Sequence, residues 1–223
     1  MDGVLADFAA AYHAVERRLF GPAGGETAAG DPEEEAEQQD EEPEEARARR
    51  LTEIHRRRDV VWQAIQSTPD FWMTLKPLDP GAVRRIHAMA MQHRWEVFFI
   101  TQRPYTDGDV VQRQTQRWLV AQGYDLPSVL VIQGSRGAAA GALRLDYHVD
   151  DSPKNCIDVK SESSAKPLLI VDRSDATTVS MARRLGIGTA ETIGEALDIL
   201  DQASTARKQP KLLHKLAQLV GWH

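Results

Sequence analysis

Cysteine is almost missing from this chain. Cys156 is the only one among 223 residues, so no internal disulfide can form and a Cys-rich zinc site is excluded. That usage fits a reducing compartment, and a cytoplasmic protein is expected. Long apolar runs are missing too. No stretch approaches the roughly 18 apolar residues of a membrane span, and the first residues lack the basic-then-apolar pattern of a secretory leader. Membrane partners are therefore not expected. An excess of basic residues is also lacking. Lys and Arg number 27 against 33 Asp and Glu, for a formal charge of -6, which argues against binding to nucleic-acid polymers. No Gly-x-x-x-x-Gly-Lys-Ser/Thr occurs, which disfavours a P-loop enzyme.

What is present is enough for one good core, or one core with a small module. Phe8, Tyr12, Val15, Leu19 and Phe20 recur at helical spacing over residues 8–20, and Gly21-Pro22 ends that helix. Residues 31–45 are almost all Glu, Asp and Gln, interrupted by Pro32 and Pro43. Such a segment has little apolar surface to bury and is expected to be a solvated insertion rather than an acidic interaction tail. Arg47, Arg49, Arg50, Arg56, Arg57 and Arg58 follow it. They read as the polar face of a helix running to about Gln66, with Val60, Val61, Ala64 and Ile65 as its buried stripe.

From Phe71 onward the pattern is regular. Val83, Ile86, Met89 and Ala90 mark a helix after Pro80-Gly81. Residues 97–100, 129–132, 147–149 and 168–171 are short apolar runs of the kind found in strands buried on both faces. Helices over 110–122, 137–143, 176–185 and 193–200 alternate with them, the last behind Thr192 as N-cap. Strands alternating with helices predict an α/β fold, a parallel sheet covered on both sides. Residues 211–220 read as an amphipathic helix, Leu212, Leu213, Leu216 and Leu219 on one face and lysines on the other.

In a parallel α/β sheet, ligands sit beyond the carboxyl ends of the strands. The polar residues after each apolar run are then the ones to inspect: Thr101-Gln102-Arg103, Gly134-Ser135-Arg136 and Asp150-Asp151. Adjacent carboxylates repel, and burying them costs several kcal/mol unless a cation compensates. Mg²⁺ does this well, because it takes one or two carboxylates together with phosphate oxygens and water. The same pair also suits a turn that leads into a helix, through Ser152-Pro153. Both readings stand at this point. Thr101 could cap a helix or hydrogen-bond a phosphate oxygen, and taken alone the cap is the better reading.

The order and spacing of these residues resemble the haloacid dehalogenase (HAD) superfamily. Asp2-Gly3-Val4-Leu5-Ala6-Asp7-Phe8 is similar to the second half of its first motif, Asp-x-Asp-Gly-(Val/Thr)-(Leu/Val). Thr101 resembles the Ser/Thr of its second motif, and Asp150-Asp151 the acidic pair of its fourth. The segments Phe71-Trp72, Leu75-Lys76-Pro77-Leu78, residues 100–104 and residues 149–156 look like the 5'(3')-deoxyribonucleotidase-like branch. The likeness spans residues 1 to about 200, the acidic insertion excepted.

The resemblance implies a Rossmann-like parallel sheet with a small helical cap. The core would comprise residues 1–8 and 76–202. The cap would be 9–75, with the insertion at about 22–46, and 203–223 would be a C-terminal amphipathic helix. It further implies a Mg²⁺-dependent phosphomonoesterase acting through an aspartyl-phosphate on a small phosphorylated metabolite, nucleotides included. Asp2 would be the general acid/base, Thr101 would bind a phosphoryl oxygen, and Asp2, Asp150 and Asp151 would hold the metal. Phe8, Trp72, Gln102 and Arg103 would face the substrate, with core packing an equal alternative for Phe8 and Trp72.

Two departures accompany the likeness. Met1 falls on the x of the first motif, so the nucleophilic Asp of that motif is not among these residues. Nor is the central strand that precedes it in the family. The expectation is a sheet with a gap in its middle, a polypeptide inactive as it stands, and a longer parent chain. Second, the third motif carries a Lys, whereas Arg136 is the nearest cation here, and Arg is not an equivalent point charge. A non-catalytic member that binds a phosphorylated ligand or serves as a scaffold is the alternative reading.

Overall fold

The structure is a computed structural model that describes residues 1–21, 44–206 and 220–222. The acidic insertion up to residue 43 and the amphipathic segment at 207–219 lie outside the described residues. The chain is α/β, and its strands form small parallel ladders. Among the described residues no helix is long and apolar enough to cross a membrane.

Two compact units are present. One comprises Met1–Ala6, Pro77–Gln102 and Gln116–His223, the other Asp7–Lys76 and Arg103–Thr115. The border expected from the sequence, a cap at 9–75, omits the second stretch of the latter unit. Hydrogen bonds explain its inclusion. Asp107 N–H donates to Gln66 O (2.7 Å) and Asp70 N–H to Asp107 O (2.8 Å). Asp109 N–H donates to the Asp70 carboxylate (2.8 Å), and Trp72 N–H to the buried Gln114 side chain (3.1 Å). No local pattern announces such pairings, because they join residues far apart in sequence.

In this helical unit, α1 spans Phe8–Phe20 and α2 spans Glu44–Gln66. The Asp7 carboxylate accepts from Ala10 N–H at 2.9 Å and starts α1, satisfying one of the free N–H groups of its first turn. Gly21, at φ 78°, ends it. Tyr12 and Val15 are buried, as are Val61 and Ile65 of α2. Val60 is not. It is 39% exposed, which corrects the four-residue stripe expected there. A short 3₁₀ turn, Phe71–Met73, buries Phe71 and Trp72.

The larger unit holds the strands. After α3 (Ala82–His93) comes β1 (Phe98–Thr101). Helix α4 (Val111–Ala121) leads to β2 (Ser128–Val131), which pairs in parallel with β1. Then follow α5 (Arg136–Leu143), β3 (Tyr147–Asp150), α6 (Pro153–Glu162) and β4 (Lys166–Ile170). The chain continues through α7 (Ala176–Arg184), β5 (Gly188–Ala190) and α8 (Ile193–Ala206).

The ladders number two. One is β1-β2, the other β3-β4-β5, and no strand among the described residues joins them. Among the described residues the parallel strands expected from the alternation thus fall into two separate ladders, in keeping with the expectation of a sheet with a gap in its middle. The residues 203–206 assigned to a terminal helix belong instead to α8. Strand β5 escapes the sequence reading because Gly188-Thr189-Ala190 is short and carries no bulky apolar side chain.

Val83, Ile86, Met89 and Ala90 are all buried, as their spacing predicts. The polar side of α3 is tied to α8 by Arg85, which donates to Gly194 O (3.1 Å) and pairs with Asp198 (2.5 Å). His93 meets Asp201 at 2.6 Å. Helix α5 lies very close to α6. A Cβ on Gly137 would stand 2.6 Å from the Asp158 carbonyl carbon, so the small residues of α5 are required by backbone approach. Cys156, Leu169, Ala182 and Ile187 form one apolar cluster of the core.

Candidate functional site

The acidic pair forms where β3 ends. Asp150 is its last residue and is 6% exposed. Both oxygens of its carboxylate are engaged. One accepts from Ser152 N–H and from the Asn155 side-chain amide, each at 3.0 Å. The other meets His148 Nε2 at 3.1 Å. Burial by itself would push this carboxyl up. The His148 contact, the positive chain terminus at Met1 and the Asn155 amide outweigh it and hold Asp150 down at about 2.

Asp151 behaves in the opposite way. It has substantial exposed surface, yet protein surrounds its carboxyl closely. Desolvation first, then the charge of Asp150, raises it above the usual carboxylate range, with Asp2 adding to the effect. Two adjacent acids thus hold their protons differently, because only one has a full set of donors.

The turn reading of this segment also holds. Ser152 caps α6 through Asn155 N–H at 3.3 Å, and Pro153 sits in the first turn, where its missing N–H costs nothing. Turn and acidic pair are one structure. The cap fixes Asn155, and Asn155 then donates to Asp150.

The amino-terminal residues come to the same place. Met1 O accepts from Leu5 N–H (2.8 Å) and Ala6 N–H (3.1 Å), and Gly3 N–H donates to Ala6 O (3.0 Å), which closes a tight loop. Val4, Leu5 and Ala6 are buried. Gly3 has φ +70° and lies directly against the Asp151 carboxylate. A Cβ there would be 2.5 Å from Asp151 Cγ and closer still to Oδ2. Asp2 is near enough for its charge to act on both Asp151 and Arg136.

Arg136 opens α5 behind Ser135, whose hydroxyl accepts from Gly137 N–H (2.9 Å) and Ala138 N–H (3.3 Å). It is 8% exposed. Its Nη1 is buried with no hydrogen-bond partner. Desolvation lowers the affinity of the guanidinium for its proton, opposed by the charges of Asp150, Asp2 and Asp151. An arginine stays charged regardless, so this is a cation with a spare donor set among carboxylates. Buried donors without partners are rare in folded proteins.

The structure therefore brings together Asp2, Arg136, Asp150 and Asp151, all within the larger unit. Thr101 is buried at the carboxyl end of β1, where its carbonyl accepts from Ile132 N–H at 3.0 Å. Gln102, next to it, is exposed.

The candidates for substrate contact in the helical unit are packed inside it. Trp72 is 1% exposed, its indole N–H donates to Pro104 O at 3.0 Å, and Phe8 lies 5.7 Å from its ring centre. Arg103 is buried as well. Its guanidinium sits 4.9 Å over the Trp72 ring and donates to Thr115 Oγ1 at 3.0 Å. Neither Trp72 nor Arg103 presents a face to solvent on which a ligand could stack. For Trp72 this is the packing that the sequence leaves as the alternative to substrate contact, and Arg103 shares it. Phe8, partly exposed, stacks on Trp62 at 5.5 Å.

Among the described residues no group of three or more His, Cys, Asp or Glu side chains is arranged to hold a metal ion. The donor chemistry nevertheless suits Mg²⁺, which needs only one or two carboxylates when phosphate and water complete its shell. A cation would also relieve the repulsion that raises Asp151.

His148 and Asn155, which set the charge of Asp150, are not distinguished by the sequence reading. The signal for His148 was its place two residues before Asp150, on the same face of β3. Comparisons with family models, with curated proteins and with solved structures found no match to this chain.

Proposed function

We propose that the acidic cluster is a phosphoryl site and that the protein is a Mg²⁺-dependent phosphomonoesterase of the HAD kind, with a Rossmann-like core. Its substrate would be a small phosphorylated metabolite, nucleotides included. The supporting observation is Arg136. A buried guanidinium with an unpartnered Nη1, set among Asp2, Asp150 and Asp151, is what a doubly charged phosphoryl group and a divalent cation together would complete.

On this reading Arg136 and Thr101 donate hydrogen bonds to phosphoryl oxygens and orient the phosphorus. Asp2 gives its proton to the leaving oxygen and then removes one from the attacking water. Asp150, Asp151 and the Asp2 backbone carbonyl would hold Mg²⁺, which supplies positive charge against the charge developing on the phosphoryl oxygens. His148 and Asn155 keep Asp150 ionised and fixed in direction. The phosphoryl acceptor of the resembled motif has no counterpart among these residues. These 223 residues alone are therefore expected to hydrolyse phosphate esters negligibly.

Two measurements test this. Inorganic phosphate should bind the 223-residue chain in the presence of Mg²⁺ by calorimetry, and Arg136→Met should remove that binding. A chain extended by a segment ending in Asp before Met1 should turn over members of a phosphate-ester panel with Mg²⁺, and Asp2→Asn should abolish the turnover. No phosphate binding in the first, or no turnover in the second, ends the phosphatase reading. Binding without turnover would favour a non-catalytic phosphate-binding member, the reading to which an Arg in place of Lys also points.

A further inference from the structure

The acidic cluster occupies the carboxyl end of β3. At the amino ends of β3, β4 and β5, within the same unit, a different kind of contact is built. Trp222 is 5% exposed there. Its ring centre lies 5.4 Å from that of Tyr147, the first residue of β3. The ammonium of Lys166, the first residue of β4, stands 5.6 Å from the same ring, within the range where a cation is drawn to an aromatic face. The indole N–H donates to Pro167 O at 2.8 Å in a buried bond.

Gly188, which opens β5, makes the room. A Cβ there would overlap the indole nitrogen of Trp222 and stand 2.8 Å from Val220 Cγ1 and 3.0 Å from Leu168 Cδ1. The φ of Gly188 is not positive, so the missing side chain serves the space and not the backbone. Gly221 is the converse case. Its φ of +92° is one that L side chains rarely adopt, and it turns the chain between Val220 and Trp222. Gly188 clears the floor, and Gly221 bends the segment that fills it.

A recess of this composition selects its guest. Tyr147, Leu168 and the bare backbone at Gly188 give an apolar floor, which favours a group that gains by leaving water. Pro167 O is a buried acceptor that a phenyl ring could not use. Lys166 favours an electron-rich ring face. Among side chains, indole alone joins a large flat face to a single N–H donor with no acceptor.

We propose that this recess is an indole-binding site, which the chain fills with its own Trp222 as a tethered ligand. Val220-Gly221-Trp222 is the occupant, and the floor at Gly188 is shaped to it. An indole carried by another molecule would enter only by displacing Trp222. The inference goes beyond the phosphatase reading and does not depend on it, since the two sites lie at opposite ends of β3.

Four proteins test it: the parent chain, Trp222→Ala, Gly188→Ala and the double variant. Trp222→Ala should lower the melting temperature by about 6–20 °C. With a dissociation constant of about 0.1–1 mM, indole at about 1 mM should then raise it again by about 1–5 °C. N-Methylindole, with the same ring and no donor, should raise it less. The parent chain, whose recess is full, should respond to neither. Gly188→Ala should destabilise the parent and cost less once Trp222→Ala is present, and the double variant should not respond to indole. No response of Trp222→Ala to indole overturns the proposal. So does an equal response of the parent, or two costs that simply add. In the parent chain, the indole N–H resonance that Trp222→Phe removes should exchange slowly with solvent. Rapid exchange there overturns the proposal even where Trp222→Ala does not fold. A parent dimer that becomes monomeric on Trp222→Ala overturns it as well, in favour of a guest from a second copy.

Discussion

Replacing Gly3 by alanine should test the amino-terminal loop and the acidic pair together. Gly3 sits at φ +70°, where an L-residue pays about 1–2 kcal/mol. The new methyl would also occupy the position of the Asp151 carboxylate, 2.5 Å from its Cγ. Asp151 must turn away, and an off-rotamer side chain costs roughly 0.5–1.5 kcal/mol. Against these, alanine restricts the unfolded chain, worth about 0.4–1 kcal/mol in favour of folding. The net expectation is a loss of about 1–3 kcal/mol, which for a chain of this size lowers the melting temperature by very roughly 2–12 °C. Gly134→Ala is the control, because nothing lies within 4 Å of its Cβ position and its φ is not positive. Differential scanning calorimetry of both variants in metal-free buffer gives the comparison. Calorimetric titration with Mg²⁺ and phosphate then asks whether displacing Asp151 weakens the site. If Gly3→Ala unfolds at the wild-type temperature and binds as before, Asp151 does not pack on this loop and the cluster is not built as described.

Two further expectations concern single side chains. Asp150 is held at about 2 in the folded protein, below the unfolded value of about 3.9. It therefore contributes stability above pH about 4, on the order of 2–3 kcal/mol, and that contribution is lost as pH falls toward 2. Asp150→Asn should be less stable than the parent at pH 6 in metal-free urea titrations, with the gap closing through this acid window. A constant gap across that range would show that the carboxylate is not charge-stabilised. In the helical unit, Trp72→Phe deletes the indole donor to the half-buried Pro104 O. It should cost about 1–3 kcal/mol and leave phosphate affinity unchanged; weaker ligand binding at unaltered stability would restore Trp72 to the substrate.

Much of the local structure is legible in the sequence because it depends on near neighbours. The stripe Val83, Ile86, Met89 and Ala90 specifies α3 by helical spacing. The apolar runs before Thr101 and Asp150 specify β1 and β3, and Ser152-Pro153 specifies the start of α6. Each is a preference that a few consecutive residues express without outside help. Val60 shows the limit: an apolar residue at the right spacing still ends up exposed. Strand β5 shows it differently, since Gly188-Thr189-Ala190 is a strand only because β4 lies beside it.

The site divides in the same way. Its acids could be chosen from the sequence, as two adjacent carboxylates after a buried run and an Asp-Gly at the start. Only the folded chain decides that Gly3 lies against Asp151, that His148 and Asn155 take up both oxygens of Asp150, and that Arg136 keeps a buried nitrogen unpaired. It also decides that Trp72 and Arg103 pack on each other. Gly3 and Asp151, Arg136 and Asp2, and Trp72 and Arg103 are separated by about thirty to nearly 150 positions. Their charges and hydrogen bonds depend on distance in space, which no local pattern of residue types encodes.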